Sequence, residues 1–322
     1  MRRYARVGLA AAAAVGMLLA IVGCEPHNNN HDASSHWPWA TSSDAPSSSP
    51  SPANGYVALG DSYTAGLGIP AQTGGPAGCG RSDHNYPALV AQELDLQSDD
   101  FRDLSCSGAT IADLSAAETT NNGVNPAQFS ALSTSTDLVT IGIGGNDIDF
   151  SSLVKQCAEA GVLYYATGDG DYGGVAPCRQ EHVSGGADDV QARIRTAGEH
   201  LASALTEVKH LAPNARVYVV GYSAILPPNG SECGREMGLA AGDVTFLYQK
   251  EQQLNTVLRQ RAKAAGVEYV DTYTPSVGRD ACSAPETRWV EPWVPLSPAA
   301  PVHPNARGAS GMADAVLHAI KS

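Results

Sequence analysis

The chain has 322 residues, 43% of them hydrophobic and 16% charged, which suits one sizeable core rather than a disordered or fibrous chain. Acidic residues number 33 against 20 basic ones, a formal net charge of −13. With no Lys/Arg stripe along it, so acidic a surface argues against nucleic acid as a partner and against adsorption to anionic lipid by charge alone.

Arg2, Arg3 and Arg6 precede an almost unbroken apolar run from Val7 to Gly23, and this reads as an export signal over residues 1–23. The run is on the short side for a spanning helix. Ile21-Val22-Gly23-Cys24 resembles the lipobox of bacterial lipoproteins, which implies that Cys24 becomes a lipidated N-terminus. An uncleaved signal anchor or a free secreted form is the alternative. Once the three arginines are removed, 17 basic residues face 33 acidic ones, a charge near −16. Residues 24–54 are dominated by Ser, Pro, Asn, His and Ala without helix or strand period, so they predict a disordered tether spanning roughly 30 Å. His27, His31 and His36 in it lack the regular spacing of a metal tract. Residues 55–322 remain for one α/β domain.

Tyr56–Leu59 predicts a strand that ends in a turn at Gly60-Asp61-Ser62. A helix follows over Tyr86–Leu96 with Pro87 in its first turn, then strands at Phe101–Leu104 and Leu138–Ile143. Ser151–Gly186 is a Gly- and Asp-rich excursion from the sheet; Asp169-Gly170-Asp171 in it lacks the rest of a calcium-loop pattern. Asp188–Leu211 predicts an amphipathic helix, Ala215–Gly221 a strand, Asp243–Ala265 a helix capped by Asp243, Val267–Val270 a strand and Ala306–Ile320 the last helix. Strands alternating with helices predict a three-layer sheet of parallel strands, with ligands beyond the carboxyl ends of the strands.

Three loops at those ends carry chemistry. Gly60-Asp61-Ser62-Tyr63 puts a serine hydroxyl and its N–H at the start of a helical segment, where anions bind. Gly144-Gly145-Asn146-Asp147 follows the strongest strand and can aim an amide donor into the crevice. Val302-His303-Pro304-Asn305 holds a histidine extended before a proline. Taken singly, the first two are also ordinary polar turns, and a lone histidine says little. Cys79, Cys106, Cys157, Cys178, Cys233 and Cys282 form no C-x-x-C pair, so zinc is a poor fit. An even set in an exported chain predicts three disulfides, with about 15 connectivities open.

Together with Ser107-Gly108-Ala109-Thr110, these blocks resemble the SGNH (GDSL) hydrolase superfamily in order and spread over Gly55–Ser322. The six cysteines, Asn85-Tyr86-Pro87-Ala88-Leu89 and the His-Pro-Asn ending are most similar to the disulfide-bonded lipases and esterases of Streptomyces and related actinobacteria. The resemblance implies a flavodoxin-like α/β/α fold on a five-stranded parallel sheet, and disulfides Cys79–Cys106, Cys157–Cys178 and Cys233–Cys282. It implies Ser62 as nucleophile, His303 as general base, and Ser62 N–H, Gly108 N–H and the Asn146 amide as oxyanion donors.

Most of the superfamily carries an aspartate three residues before the histidine, where this chain has Ala300. The expectation is a Ser–His dyad with the Ala300 carbonyl orienting His303, and Asp271 as the rival acid. Trp289 and Trp293 are candidates for the wall of an acyl pocket. The chemistry predicted is ester hydrolysis through an acyl-enzyme, without metal or cofactor, by a monomer acting on a small-molecule or lipid ester. Phospholipase and glycan O-deacetylase activity are alternatives, and an exported solute-binding lipoprotein is the non-enzyme one.

Overall fold

The computed structural model describes residues 55–167, 175–228, 233 and 237–322. The export signal, Cys24, the tether and Asp169–Asp171 lie outside them. A five-stranded parallel sheet is built from β1 (Tyr56–Gly60), β2 (Phe101–Asp103), β3 (Leu138–Gly142), β4 (Arg216–Val220) and β5 (Glu268–Val270), in the order β2-β1-β3-β4-β5. This is the flavodoxin-like order, and it reverses direction between β1 and β3, where Gly60 lies opposite Gly142. Loops from both strands therefore open into one crevice.

Alternation along the strands divides the core in two. Val57, Leu59, Val139, Ile141, Val217 and Val219 face α3 (Phe150–Ala166), α5 (Asp189–Leu211) and α6 (Ala241–Ala265). Tyr56, Ala58, Leu138, Tyr218 and Val220 face α2 (Tyr86–Glu93) and α7 (Ala306–Lys321). Each fully buried aliphatic side chain contributes roughly 1.5–3 kcal/mol. The three-layer arrangement is the one expected. Among the described residues no helix is long and apolar enough to cross a membrane.

Three boundaries differ from expectation. Helix α2 starts where predicted, with Asn85 as its cap and Pro87 in its first turn, but stops at Glu93 because Asp95 turns left-handed (φ 52°). The excursion after Ser151 opens with the 17-residue α3, whose Leu153, Val154, Cys157, Ala158, Gly161 and Tyr164 are buried at helical spacing. Its Cys157 is bonded to Cys178 in α4 (Pro177–His182). Asp243 lies inside α6 and caps a different helix: its carboxylate accepts the N–H groups of Cys178 (3.2 Å) and Arg179 (2.9 Å) at the start of α4. The other disulfides are Cys79–Cys106 and Cys233–Cys282, so all three pairs are those implied by the resemblance.

Candidate active site

β1 ends at Gly60 and the chain turns at Asp61 into a single helical turn, α1 (Ser62–Ala65). Asp61 caps that turn by accepting the Tyr63 N–H at 3.0 Å. Gly60 is gripped by the buried Gln128 side chain, which takes its N–H (2.8 Å) and donates to its carbonyl (2.9 Å) as a neighbouring strand would. A Cβ at Gly60 would lie 2.5 Å from the Gly142 carbonyl oxygen, so the chain crosses here only as glycine. Ser62 is thereby fixed, 8% exposed, at the mouth of the crevice.

His303 arrives from the other end of the domain, and its Nε2 lies 2.8 Å from Ser62 Oγ. Its Nδ1 lies 2.7 Å from the Pro301 carbonyl oxygen. A carbonyl can only accept, so Nδ1 carries the proton and Nε2 is left to accept from the serine hydroxyl. Pro301 thus takes the place expected of Ala300. The Ala300 carbonyl instead accepts the His303 backbone N–H at 3.3 Å, because Val302 turns left-handed (φ 61°) and curls the ring beneath the nearer carbonyl. Asp271 is elsewhere, engaged by the Tyr273 and Thr274 N–H groups, the Thr274 hydroxyl and Arg259.

Asn146 donates from Nδ2 to the Ala109 carbonyl at 2.9 Å, which ties the loop after β3 to the Gly108 loop after β2. That second loop is pinned by the Cys79–Cys106 bond and by the Ser107 N–H and hydroxyl on the Cys79 carbonyl. Gly108 sits on it with φ 100°, solvent-exposed. Among the described residues, neither the Ser62 N–H nor the Gly108 N–H has an acceptor.

Residues 58–310 match the model of the family described as GDSL-like Lipase/Acylhydrolase. The chain belongs to that family. It is similar to Lipase 2 of Streptomyces coelicolor, 39% identical over 277 residues that cover 85% of this chain and 88% of the relative. The crystal structure of an extracellular lipase from Streptomyces rimosus, 28% identical, superposes with a TM-score of 0.66 over 83% of this chain and all of that one (100%). Phospholipase A1 from Streptomyces albidoflavus, 29% identical, gives 0.61 over 83% and 99%. This GDSL hydrolase is accordingly a lipase or esterase, an enzyme that cleaves carboxylic esters.

The GDSL serine opens onto a small cleft lined by Ser62, Asn146, Phe150, Tyr222, Ile225 and Leu254, with the Asp61 and Glu251 carboxyl groups also on its wall. Most of the exposed wall is apolar, which suits an acyl group. Trp289 and Trp293 take no part in it, contrary to expectation. Trp289 packs against α7, where a Cβ at Gly311 would come within 2.1 Å of its ring. Trp293 lines a separate groove with Lys155, Glu159 and Met237.

Burial lowers the His303 pKa below the ordinary histidine value, opposed by the Pro301 carbonyl, so the GDSL hydrolase holds this imidazole neutral at pH 7. Asp61 is pushed up to about 7 by burial, against the hydrogen bonds from Tyr222 and the Tyr63 N–H. Tyr222 went unpredicted. Its hydroxyl donates to Asp61 Oδ2 and accepts the Gly145 N–H at 2.7 Å, joining the serine turn to the asparagine loop. Tyr63, also unpredicted, donates to the Val302 carbonyl at 2.6 Å, and its ring lies 5.0 Å from that of His303. The one signal available for Tyr222 was its place, an aromatic two residues beyond a strand that points into the crevice.

Proposed function

We propose that this chain is an exported serine ester hydrolase working through a Ser62–His303 dyad. The observation that carries this is the Nε2–Oγ contact of 2.8 Å together with Nδ1 on the Pro301 carbonyl. His303 takes the Ser62 proton as Oγ attacks the ester carbon, and the tetrahedral oxyanion forms beside the Ser62 N–H, the Gly108 N–H and the second proton of Asn146 Nδ2. The alcohol leaves with the proton from His303, and water repeats the sequence on the acyl-enzyme. A neutral, buried base fits the first step, and the absence of a carboxylate at Nδ1 leaves the imidazolium with a weaker partner. Three disulfides support export, as does the likeness to an extracellular lipase. Lipidation at Cys24 would keep the domain at the membrane face, and loss of membrane association in Cys24→Ala tests that step.

The substrate reading is a carboxylic ester whose acyl group meets the mostly apolar wall beside Ser62. A glycerophospholipid is the second reading, favoured by the likeness to a phospholipase A1 over nearly that whole chain. A fluorophosphonate probe should label wild type and leave Ser62→Ala unlabelled. Failure of wild type to label would sink the dyad. A panel of p-nitrophenyl esters, triglyceride and phospholipid then separates the two substrate readings.

A further inference from the structure

Among the described residues nothing charged touches the His303 ring, yet a buried carboxylate stands behind its loop. Glu291 is 1% exposed and accepts four hydrogen bonds: on Oε2 from the Leu296 N–H (2.9 Å) and the Ser297 N–H (3.3 Å), on Oε1 from the Ser297 hydroxyl and from Asn305 Nδ2 (2.7 Å). All four donors lie between Glu291 and the first helical residue after His303, so one anion gathers the whole loop. The Glu291 backbone takes hold of it as well, donating to the His303 carbonyl (3.0 Å) and accepting the Val302 N–H (3.1 Å). Burial raises the Glu291 pKa, but the donors, Ser297 hydroxyl and Asn305 amide first, outweigh it and hold the group below the usual glutamate value.

The restraint has a purpose visible in the backbone. Val302 has φ 61°, a region a β-branched residue scarcely enters, and such strain persists only where the surroundings over-determine it. That left-handed turn is what puts Nδ1 under the Pro301 carbonyl and Nε2 toward Ser62. We infer that Glu291 is the positioning residue for His303: its carboxylate, acting through the 291–305 loop rather than on the imidazole, holds the turn that aims Nε2 at the serine. The inference rests on the reading of His303 as the general base.

The test uses Glu291→Gln in the full chain. Glutamine can accept on one side only, so its NH₂ faces Asn305 Nδ2 or the two backbone N–H groups. Asn305 cannot turn its amide to compensate, because its Oδ1 caps α7 through the Gly308 N–H at 3.0 Å. We expect kcat on a p-nitrophenyl ester to fall at least fiftyfold with KM changed less than threefold. If Glu291→Gln does not fold, Ser297→Ala removes a single donor and should lower kcat three- to tenfold at unchanged KM. Wild-type kcat in Glu291→Gln or in Ser297→Ala overturns the inference, and so does a loss carried by KM instead of kcat. His303→Ala, run beside them, separates the two claims: wild-type turnover there removes the base assignment itself, whereas an inactive His303→Ala beside a fully active Glu291→Gln removes only the role of Glu291.

Discussion

Removing the Tyr222 hydroxyl tests the frame behind the serine. In Tyr222→Phe the Gly145 N–H loses its acceptor and Asp61 loses a donor. The stranded, half-buried N–H costs about 1–2 kcal/mol, and the bond to an ionised carboxylate is worth a further ~2 kcal/mol. The second part depends on pH. The Asp61 pKa is raised in the fold from 3.8 to about 7, so the native state keeps a proton that the unfolded chain has lost. Stability therefore falls as pH rises from the unfolded value to the folded one, by up to about 1.4 kcal/mol per unit, and levels above it. Tyr222 donates the hydrogen bond that most restrains that rise, so without it the folded pKa moves above about 7 and the decline continues where wild type has levelled. The expected destabilisation is roughly 2 kcal/mol at pH 6, where Asp61 is protonated in both proteins, and roughly 4 kcal/mol at pH 9. Urea unfolding followed by circular dichroism at the two pH values measures the difference. A loss of equal size at pH 6 and pH 9 would refute the coupling of this tyrosine to the ionisation of Asp61.

Asn146→Ala should slow turnover on the order of 10²-fold, about 3 kcal/mol, with the binding of a substrate-like inhibitor unchanged. If His303 is the base proposed, it must be neutral to act, and since burial lowers its pKa the acidic limb of kcat/KM should have its midpoint below pH 6.5; a midpoint at pH 7 or above contradicts this. Asp271→Ala should turn over within about twofold of wild type, whereas a triad acid would cost ~10⁴-fold. Replacing Cys79 and Cys106 by serine should cost about 3–4 kcal/mol, for a bond that spans 27 residues, and lower the melting temperature by roughly 10 °C.

Long-range order was legible wherever a single physical rule acted. Short apolar runs marked Tyr56–Leu59 and Leu138–Ile143, and both are buried strands of the parallel sheet. Helix α3 was obscured because its apolar spacing runs directly into a Gly/Asp-rich segment, and the second signal outweighed the first. Asp243 was assigned to its own helix, since a cap in sequence looks local; its partners, Cys178 and Arg179, come close only after folding. Ser62, Asn146 and His303 lie on short motifs after strands or before a helix, where sequence determines direction; the first two line the cleft and His303 meets Ser62 at 2.8 Å. The orienting carbonyl was misplaced by one residue because a left-handed valine has no sequence signal. Gln128, Tyr222 and Glu291 act through tertiary hydrogen bonds from segments with no motif at all.

Those missed residues have one thing in common: each satisfies backbone or carboxyl groups that the catalytic turns leave exposed. Gln128 serves the strand end at Gly60, Tyr222 bridges Asp61 and the Gly145 N–H, and Glu291 gathers the histidine loop. The acids in this frame are set back from the imidazole, and its Nδ1 meets a neutral carbonyl. An imidazolium so placed gains little from its contact at Nδ1, and that agrees with a pKa pushed down rather than up. On the proposed mechanism, the arrangement favours a base that is neutral in mildly acidic surroundings and leaves stabilisation of the transition state to the donors around the oxyanion. A carboxylate introduced at position 300 should therefore act on the base before it acts on the rate: in Ala300→Asp the acidic limb should move to higher pH. An unchanged limb would mean that the loop turn, and not the missing aspartate, sets the basicity of His303.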